Sequence, residues 1–253
     1  MKEDENINTN NLSPFKGMEG HYHVLEQRVP VEVQMRYFKY SEGLRKANQP
    51  PRPISEEACE KMFDELTSEE TTDVVDKRFL LSQLATSKSV RGFRLLEEYV
   101  KAPDPEVEDW ACMALMEARI ALESSFSDEK QIYISTGLGG KGQKLRFYLL
   151  LFSHDNQVFL DYQRKVVEHE FQYALPKSDC EIERIDISDQ YAEIVFLMPV
   201  RADLKSMIDK VIRECNQYGD FLSNVYTITN VKELTKEEIA KIIEKNGDDK
   251  TSD

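Results

Sequence analysis

The chain has 253 residues, of which 40% are hydrophobic and 32% are charged, and its formal net charge is -14. This length fits two ordinary domains, and the negative charge argues against general binding of DNA or of anionic membranes. No stretch reaches the roughly 18 apolar residues of a membrane span, and the first residues lack the basic and apolar regions of a signal peptide. The sequence therefore predicts a cytoplasmic protein with no membrane partner and no DNA partner.

Residues 1–54 differ in composition from the rest of the chain, with an Asn-rich acidic start and a proline cluster at 50–53. We expect an extended, partly disordered arm here. Apolar residues alternate just before Arg36, Tyr37 and Phe38, so this segment could be a strand added to a sheet, or an arm that packs on the helices or on a partner. It is locally basic, since Arg28, Arg36, Lys39, Arg45, Lys46 and Arg52 outnumber Glu32 and Glu42.

A helical domain is predicted over residues 55–126, because apolar residues recur there at spacings of three and four. The spacing gives helices at 56–66, 74–84, 90–100 and 103–122. Ser55 is the expected N-cap of the first helix and Asp104 that of the last. These four helices form two pairs separated by short polar joints.

The segment DPEVEDWACMAL, residues 104–115, resembles the HEAT-repeat signature, in which an Asp-Pro turn is followed by a Val and an Ala-rich helix ending in Ala-Leu. Many HEAT repeats carry an Arg after that Val, whereas this chain has Glu108. The resemblance covers about residues 56–124 and implies stacked helical hairpins with a surface for protein partners. Since about three repeats are normally needed to bury a continuous core, another part of the chain must cap these two pairs. An ordinary four-helix domain is the alternative.

Residues 127–245 predict a second domain, in which hairpins alternate with helices, so the whole chain is expected to have an α+β fold with helices packed on an antiparallel sheet. Strands are predicted at 131–136, 144–153, 180–188, 191–200 and 225–231, and helices at 156–174, 202–215 and 235–245. Thr235 and Glu238 have the spacing of a capping box. Residues 246–253 have no apolar anchor and are expected to be disordered.

A glycine-rich loop at 137–146 is the first candidate for chemistry, because four of the ten glycines fall within 137–142. Gly139 and Gly140 precede three cations in this loop, Lys141, Lys144 and Arg146. Exposed amides with lysines suit phosphate groups, so the loop could contact an RNA backbone. It is not a P-loop, since Lys141 is followed by Gly and not by Ser or Thr. A flexible hairpin tip is the alternative.

Other reactive residues give weaker signals. The four cysteines lie far apart without zinc-ligand spacing, and no catalytic triad or nucleophile elbow is present. His154 is followed by Asp155 at a strand-to-helix junction, where Asp155 is expected to cap the helix. Trp110 is interpreted as a core anchor, with an exposed contact residue as the alternative. We therefore predict no catalytic residue, no cofactor and no metal.

These patterns predict a non-catalytic protein-interaction or regulatory scaffold. One alternative is a ribosome- or RNA-associated factor that uses the loop at 137–146. Another is an enzyme with an uncharacterised site in the C-terminal domain, which a concave pocket holding His154 would support. The candidate binding residues are Lys141, Lys144, Arg146, Gly139, Gly140, Arg36, Tyr37, Phe38 and Trp110.

Overall fold

A computed structural model describes residues 21–47, 54–71, 73–126 and 131–248. These residues divide into a helical unit, up to Gly139, and a sheet unit, from Gly140 onward. The boundary lies after the predicted 126/127, but the expected α+β fold is confirmed. None of the helices described is long and apolar enough to cross a membrane. The acidic start and the proline cluster of the predicted arm lie outside the described residues. Residues 21–47 of the arm are described.

The helical unit contains five helices and a two-stranded parallel sheet. The helices are α1 Val31–Ala47, α2 Glu56–Leu66, α3 Val74–Thr86, α4 Val90–Tyr99 and α5 Glu108–Phe126, and the strands are β1 His21–Val24 and β2 Gln131–Ile134. The predicted helices α2 to α5 are all present, and Ser55 caps α2 by accepting a hydrogen bond from Ala58 N–H. Since α1 packs on α3 and α5, it covers the two helix pairs.

Helix α5 forms the centre of the helical unit. Ala111, Ala114 and Ala118 are buried on one stripe, where their small side chains let the neighbouring helices approach closely. Asp104 was predicted to be the N-cap of this helix, but α5 begins only at Glu108. Its carboxylate instead accepts a hydrogen bond from the Tyr99 hydroxyl at 2.6 Å and pairs with Lys77 at 2.9 Å. Both contacts hold the pKa of Asp104 below its usual value.

The prediction of an extended arm is wrong for residues 31–47, which form helix α1. The apolar alternation that favoured a strand covers only a few residues, whereas the positions that this helix buries are Gln34, Tyr37 and Ser41, at helical spacing. Two of these three are polar, so a search for apolar periodicity does not find the buried side.

The sheet unit consists of helices packed on an antiparallel sheet. Its elements are β3 Gly140–Lys141, β4 Lys144–Ser153, a 3-10 turn His154–Asn156, α6 Asp161–Lys177, β5 Glu181–Ile187, β6 Tyr191–Pro199, α7 Leu204–Asn216, β7 Leu222–Thr229 and α8 Lys236–Asp248. The strand order is β7-β4-β6-β5, with β3 beside the start of β4. From β4 to β7 this is the β-α-β-β-α-β arrangement of ferredoxin-like folds.

Most predicted elements of the sheet unit are confirmed, including the Thr235–Glu238 capping box at the start of α8. The predicted hairpin between 131–136 and 144–153 is wrong, because β2 pairs with β1 in the helical unit. The partner of β4 at this point is β3. Residues 246–248 belong to α8, and the remainder of the predicted tail lies outside the described residues.

The first part of the glycine loop, residues 137–140, is buried, and this burial explains one of its glycines. Gly139 has φ +66°, and a Cβ atom there would lie 2.4 Å from the Glu26 carbonyl oxygen and 2.5 Å from that of Gln27. Only glycine permits both the backbone conformation and this close approach. The loop therefore packs against the backbone that follows β1.

We predict that Gly139→Ala destabilises the helical unit by about 2–4 kcal/mol, since it adds left-handed strain to a backbone clash. Urea unfolding followed by the fluorescence of Trp110, the one tryptophan, measures this unit. Gly43→Ala is the matched control, because Gly43 lies in α1 with open space around it. There, alanine is expected to stabilise by about 0.5–1 kcal/mol. Equal effects of the two substitutions would contradict the close-approach argument.

Candidate functional site

The three cations of the glycine loop are neutralised by acidic side chains of the sheet unit. Lys141 pairs with Glu181 at 3.3 Å, and Lys144 pairs with Glu181 at 2.8 Å and with Asp179 at 2.9 Å. The hydrogen bonds that Lys144 donates to Glu181 and Asp179 raise the pKa of its ammonium group. These contacts tie the hairpin to the edge strand β5 rather than leaving a mobile cationic tip.

Arg146 is held in the same way, by two hydrogen bonds to Glu183 at 2.5 and 2.8 Å. Gly139 and Gly140 are buried, so their amides do not form an exposed cradle. The three cations expected to contact phosphates are therefore paired with acidic side chains of the sheet unit.

Trp110 is a buried core residue, in agreement with its interpretation as a core anchor. Its Nε1 donates to the Ser82 hydroxyl at 3.0 Å, and its ring contacts the rings of Tyr37 and Tyr40 edge-on, with centroids 5.1 and 5.5 Å away. The Arg78 guanidinium lies over the same ring at 5.1 Å. Trp110 and the fully buried Tyr37 therefore join α1 to α3 and α5 and do not form a contact surface.

A buried polar cluster fixes the orientation of α1. The Glu117 carboxylate, on α5, accepts hydrogen bonds from the Tyr37 hydroxyl at 2.7 Å and from the Ser41 hydroxyl at 2.6 Å. One turn earlier, Gln34 Nε2 donates to the carbonyls of Val29 at 2.8 Å and Thr136 at 3.1 Å. Burial raises the pKa of Tyr37, so the phenol stays protonated as a donor. Rotation of α1 about its axis would break all these bonds.

This anchoring leaves a mixed basic and apolar surface on the exposed part of the helix. We call it the outer face of α1, defined by Met35, Arg36, Phe38, Lys39 and Lys46. Met35 and Phe38 are large apolar side chains with exposures of 68% and 40%. The sequence predicted Arg36 and Phe38 as binding residues, and the structure places both of them at the surface.

The charge on this helix is positive at its exposed positions. Lys46 forms an i,i+4 pair with Glu42 at 2.7 Å, and Arg45 lies 3.7 Å from Glu117 with 58% of its side chain exposed. Arg36 and Lys39 are exposed as well, so the exposed side chains of α1 include four cations and only two carboxylates. Exposed cations and an exposed aromatic ring on one surface are typical of sites that bind a polyanion with planar rings.

The cysteines do not offer an alternative chemistry. All four thiols are free, and burial raises the pKa of Cys112 and of Cys180 to about 11 and that of Cys215 to about 12. These three thiols are therefore protonated near neutral pH, and a protonated thiol is a poor nucleophile and a poor metal ligand. Among the described residues there is no group of three or more side chains suited to hold a metal ion.

Asp155 was predicted to cap the helix that follows β4, but it does not cap α6. Asp155 has φ +53° within the 3-10 turn, and α6 begins after Leu160, whose N–H donates to the Gln163 side chain. His154 Nδ1 lies 3.0 Å from the Asp220 carbonyl oxygen. The two residues therefore belong to a polar loop cluster at the end of β4.

Comparison with known proteins finds similarity only among solved structures. No family model matches the sequence, and no curated protein matches it. One structure, of a proposed transposase from Deinococcus radiodurans, matches with 16% identity and a TM-score of 0.36, over 41% of this chain and 91% of its own. Another, of a REP-associated tyrosine transposase bound to a REP hairpin, matches with 11% identity and a TM-score of 0.32, over 46% of this chain and 68% of its own.

These matches contradict the predicted non-catalytic scaffold and the predicted absence of a DNA partner. The matched structures are transposases, not helical-repeat scaffolds, and one of them is bound to a REP hairpin. At this low similarity the matches transfer neither activity nor ligand to this chain.

We predict that Tyr37→Phe destabilises the helical unit by about 1–3 kcal/mol, because it removes a donor from the buried Glu117 carboxylate. Tyr40→Phe is the control, because Tyr40 packs on the same tryptophan ring but is only partly buried. This substitution is expected to lower the free energy of unfolding by less than about 0.5 kcal/mol. Urea unfolding monitored by tryptophan fluorescence measures both. Equal small losses would show that the polar cluster does not hold α1.

Proposed function

We propose that the chain binds single-stranded DNA through the outer face of α1. The observation that carries this proposal is the exposure of two cations, Arg36 and Lys39, and of the Phe38 ring on a helix whose orientation is fixed. Cations along a surface attract phosphates, and an exposed aromatic ring on the same helix gives an unpaired base a face on which to stack. The buried cluster at Glu117 supports the proposal, because it orders this surface before any ligand arrives.

The negative charge of the whole chain is compatible with this function. A net charge of -14 repels nucleic acid from most of the surface and confines contact to the local cationic face. Three or four phosphate contacts predict modest affinity, with a slope of log K against log salt of about -2 to -3 on a single strand. Since one matched structure holds a REP hairpin, a DNA hairpin with a single-stranded tail is a reasonable first probe.

A cytoplasmic location is also proposed. Four free thiols in one chain are typical of a reducing compartment, where disulfides are rare.

Reversing two charges tests the electrostatic part of the proposal. The double variant Arg36→Glu/Lys39→Glu is expected to weaken binding on the order of tenfold at low salt and to reduce the salt slope by about 1.4. Fluorescence anisotropy of the labelled hairpin with its tail measures both quantities. The matched control is Lys61→Glu/Lys101→Glu, which makes the same change in net charge at exposed positions of the same unit.

The control is expected to bind almost as tightly as the natural chain. If both double variants lose affinity equally, only net charge matters and the outer face of α1 is not the site. If the natural chain does not bind at low salt, DNA binding itself is excluded.

Replacing Phe38 tests the stacking part. Phe38→Leu keeps the apolar volume but removes the ring, so affinity for a single strand is expected to fall by about 1 kcal/mol or more, while affinity for a blunt duplex changes little. Phe79→Leu is the control, because Phe79 is an aromatic of similar exposure, at 43%, on α3. An unchanged single-strand affinity for Phe38→Leu would refute base stacking at this position.

A further inference from the structure

The sheet unit contains a polar cavity of about 180 Å³ at the end of β4, beside the loop between α7 and β7. The side chains that matter to its chemistry are those of Ser153, His154, Gln163 and Asp220. It is smaller than the roughly 300–1,000 Å³ of pockets for drug-sized ligands, so it suits a compact molecule or a single side chain. It lies in the sheet unit, and its interpretation does not depend on the proposed DNA surface.

Ser153 gives the first indication of a ligand. The residue is only 3% exposed, and its hydroxyl has no hydrogen-bond partner among the described residues. Its backbone N–H donates to the Gln190 carbonyl at 2.8 Å, so only the side chain is unsatisfied. A buried hydroxyl without a partner costs about 1–3 kcal/mol, and such groups are rare in folded proteins. A bound donor would remove that cost.

His154 supplies a second acceptor at the same place. Its Nδ1 lies 3.0 Å from the Asp220 carbonyl oxygen, and a carbonyl only accepts, so Nδ1 carries the hydrogen. In the tautomer that carries its hydrogen on Nδ1, Nε2 is an acceptor. The nearest carboxylate oxygen to Nε2 is that of Asp155, at 3.8 Å, which is beyond hydrogen-bond distance.

The charge of the lining decides which ligand fits. Asp220 contributes a carboxylate, with Oδ2 3.5 Å from Nδ1 of His154, and no Lys or Arg lines the cavity. Arg164, which is close in sequence, is occupied by the carbonyls of Ile187 and Ser188 and by Asp189. A hydroxyl, an imidazole nitrogen and a carboxylate therefore all offer acceptors, and an anion would meet a negative charge.

The loops around the cavity are held in unusual backbone conformations. Asp155 and Asn156 have φ values of +53° and +54°, and Gly219 has φ +119°. Non-glycine residues with positive φ are costly, and they persist where the surrounding structure fixes them. The cavity is therefore a defined site of the fold.

We propose that this cavity binds a small ammonium or guanidinium group. Its N–H donors satisfy Ser153 Oγ and His154 Nε2, and its charge is balanced by Asp220. The group belongs either to a free amine or to the Lys or Arg side chain of a peptide, since both present the same chemistry.

Two-dimensional amide NMR of the ¹⁵N-labelled full chain tests the proposal, with methylguanidinium, methylammonium and N-acetylarginine methylamide as probes. We expect saturable shifts at the amides of Ser153, Gly219 and Asp220. Tighter binding of the arginine derivative would identify a peptide side chain as the ligand, and tighter binding of the free cations a small amine. Either result supports the site.

Three variants make the test specific. Asp220→Asn is expected to weaken binding by about fivefold, as is Ser153→Ala. Ser153→Ala should leave the thermal midpoint unchanged or raised, because it removes an unsatisfied hydroxyl, so lost binding cannot be ascribed to unfolding. Asp161→Asn removes an equal charge at the start of α6, outside the lining, and is expected to change affinity by less than about twofold.

The proposal is overturned if no probe gives saturable shifts at these amides. Cytosine, which is uncharged, serves as a neutral probe. The proposal is also overturned if cytosine shifts these amide signals as strongly as the cations do and Asp220→Asn has no effect, since the cavity would then not select a charged ligand. Equal losses from Asp161→Asn and Asp220→Asn would reduce the effect to general electrostatics and exclude the site.

Discussion

The buried carboxylate of Glu117 is the interaction on which the arrangement of the helical unit depends. A carboxylate removed from water is tolerated only when hydrogen-bond donors surround it, and here the hydroxyls of Tyr37 and Ser41 supply them from α1. Because these donors lie on one side of α1, the helix can pack in only one rotation. The cations and apolar side chains on its other side are therefore presented outward. A polar contact in the core thus determines which surface the protein exposes.

In the sheet unit, opposite charges play a comparable part. Acidic residues on and beside β5 pair with the three cations of the hairpin formed by β3 and β4, so the hairpin is fixed there. At the other end of β4 the polar groups are not all satisfied, and Ser153 and His154 lie beside a cavity. The same strand thus has a closed, ion-paired end and an open, acceptor-rich end. Whether cationic residues in a sequence are available for binding therefore depends on the neighbours that the fold gives them.

Periodicity predicted the elements that bury a continuous apolar side. Helices α2 to α5 and strands β4 and β6 are of this kind. The caps at Ser55 and Thr235 were predictable for another reason, because their side chains bond to nearby backbone. Helix α1 was missed because its buried positions include Gln34 and Ser41, which are polar. The pairing of β2 with β1 was missed because a parallel partner far away in sequence leaves no local signal. The resemblance of α2 to α5 to HEAT repeats remains a prediction.

The sequence by itself determined the α+β class, most helix and strand positions and the basic, aromatic character of residues 31–47, because these follow from local spacing and composition. Only the tertiary structure decided which of those residues are available. It buried Tyr37 and Trp110, paired Lys144 with acids from β5 and left Arg36 and Phe38 at the surface. Availability depends on which groups distant segments bring together, and a side chain's own identity does not encode its neighbours.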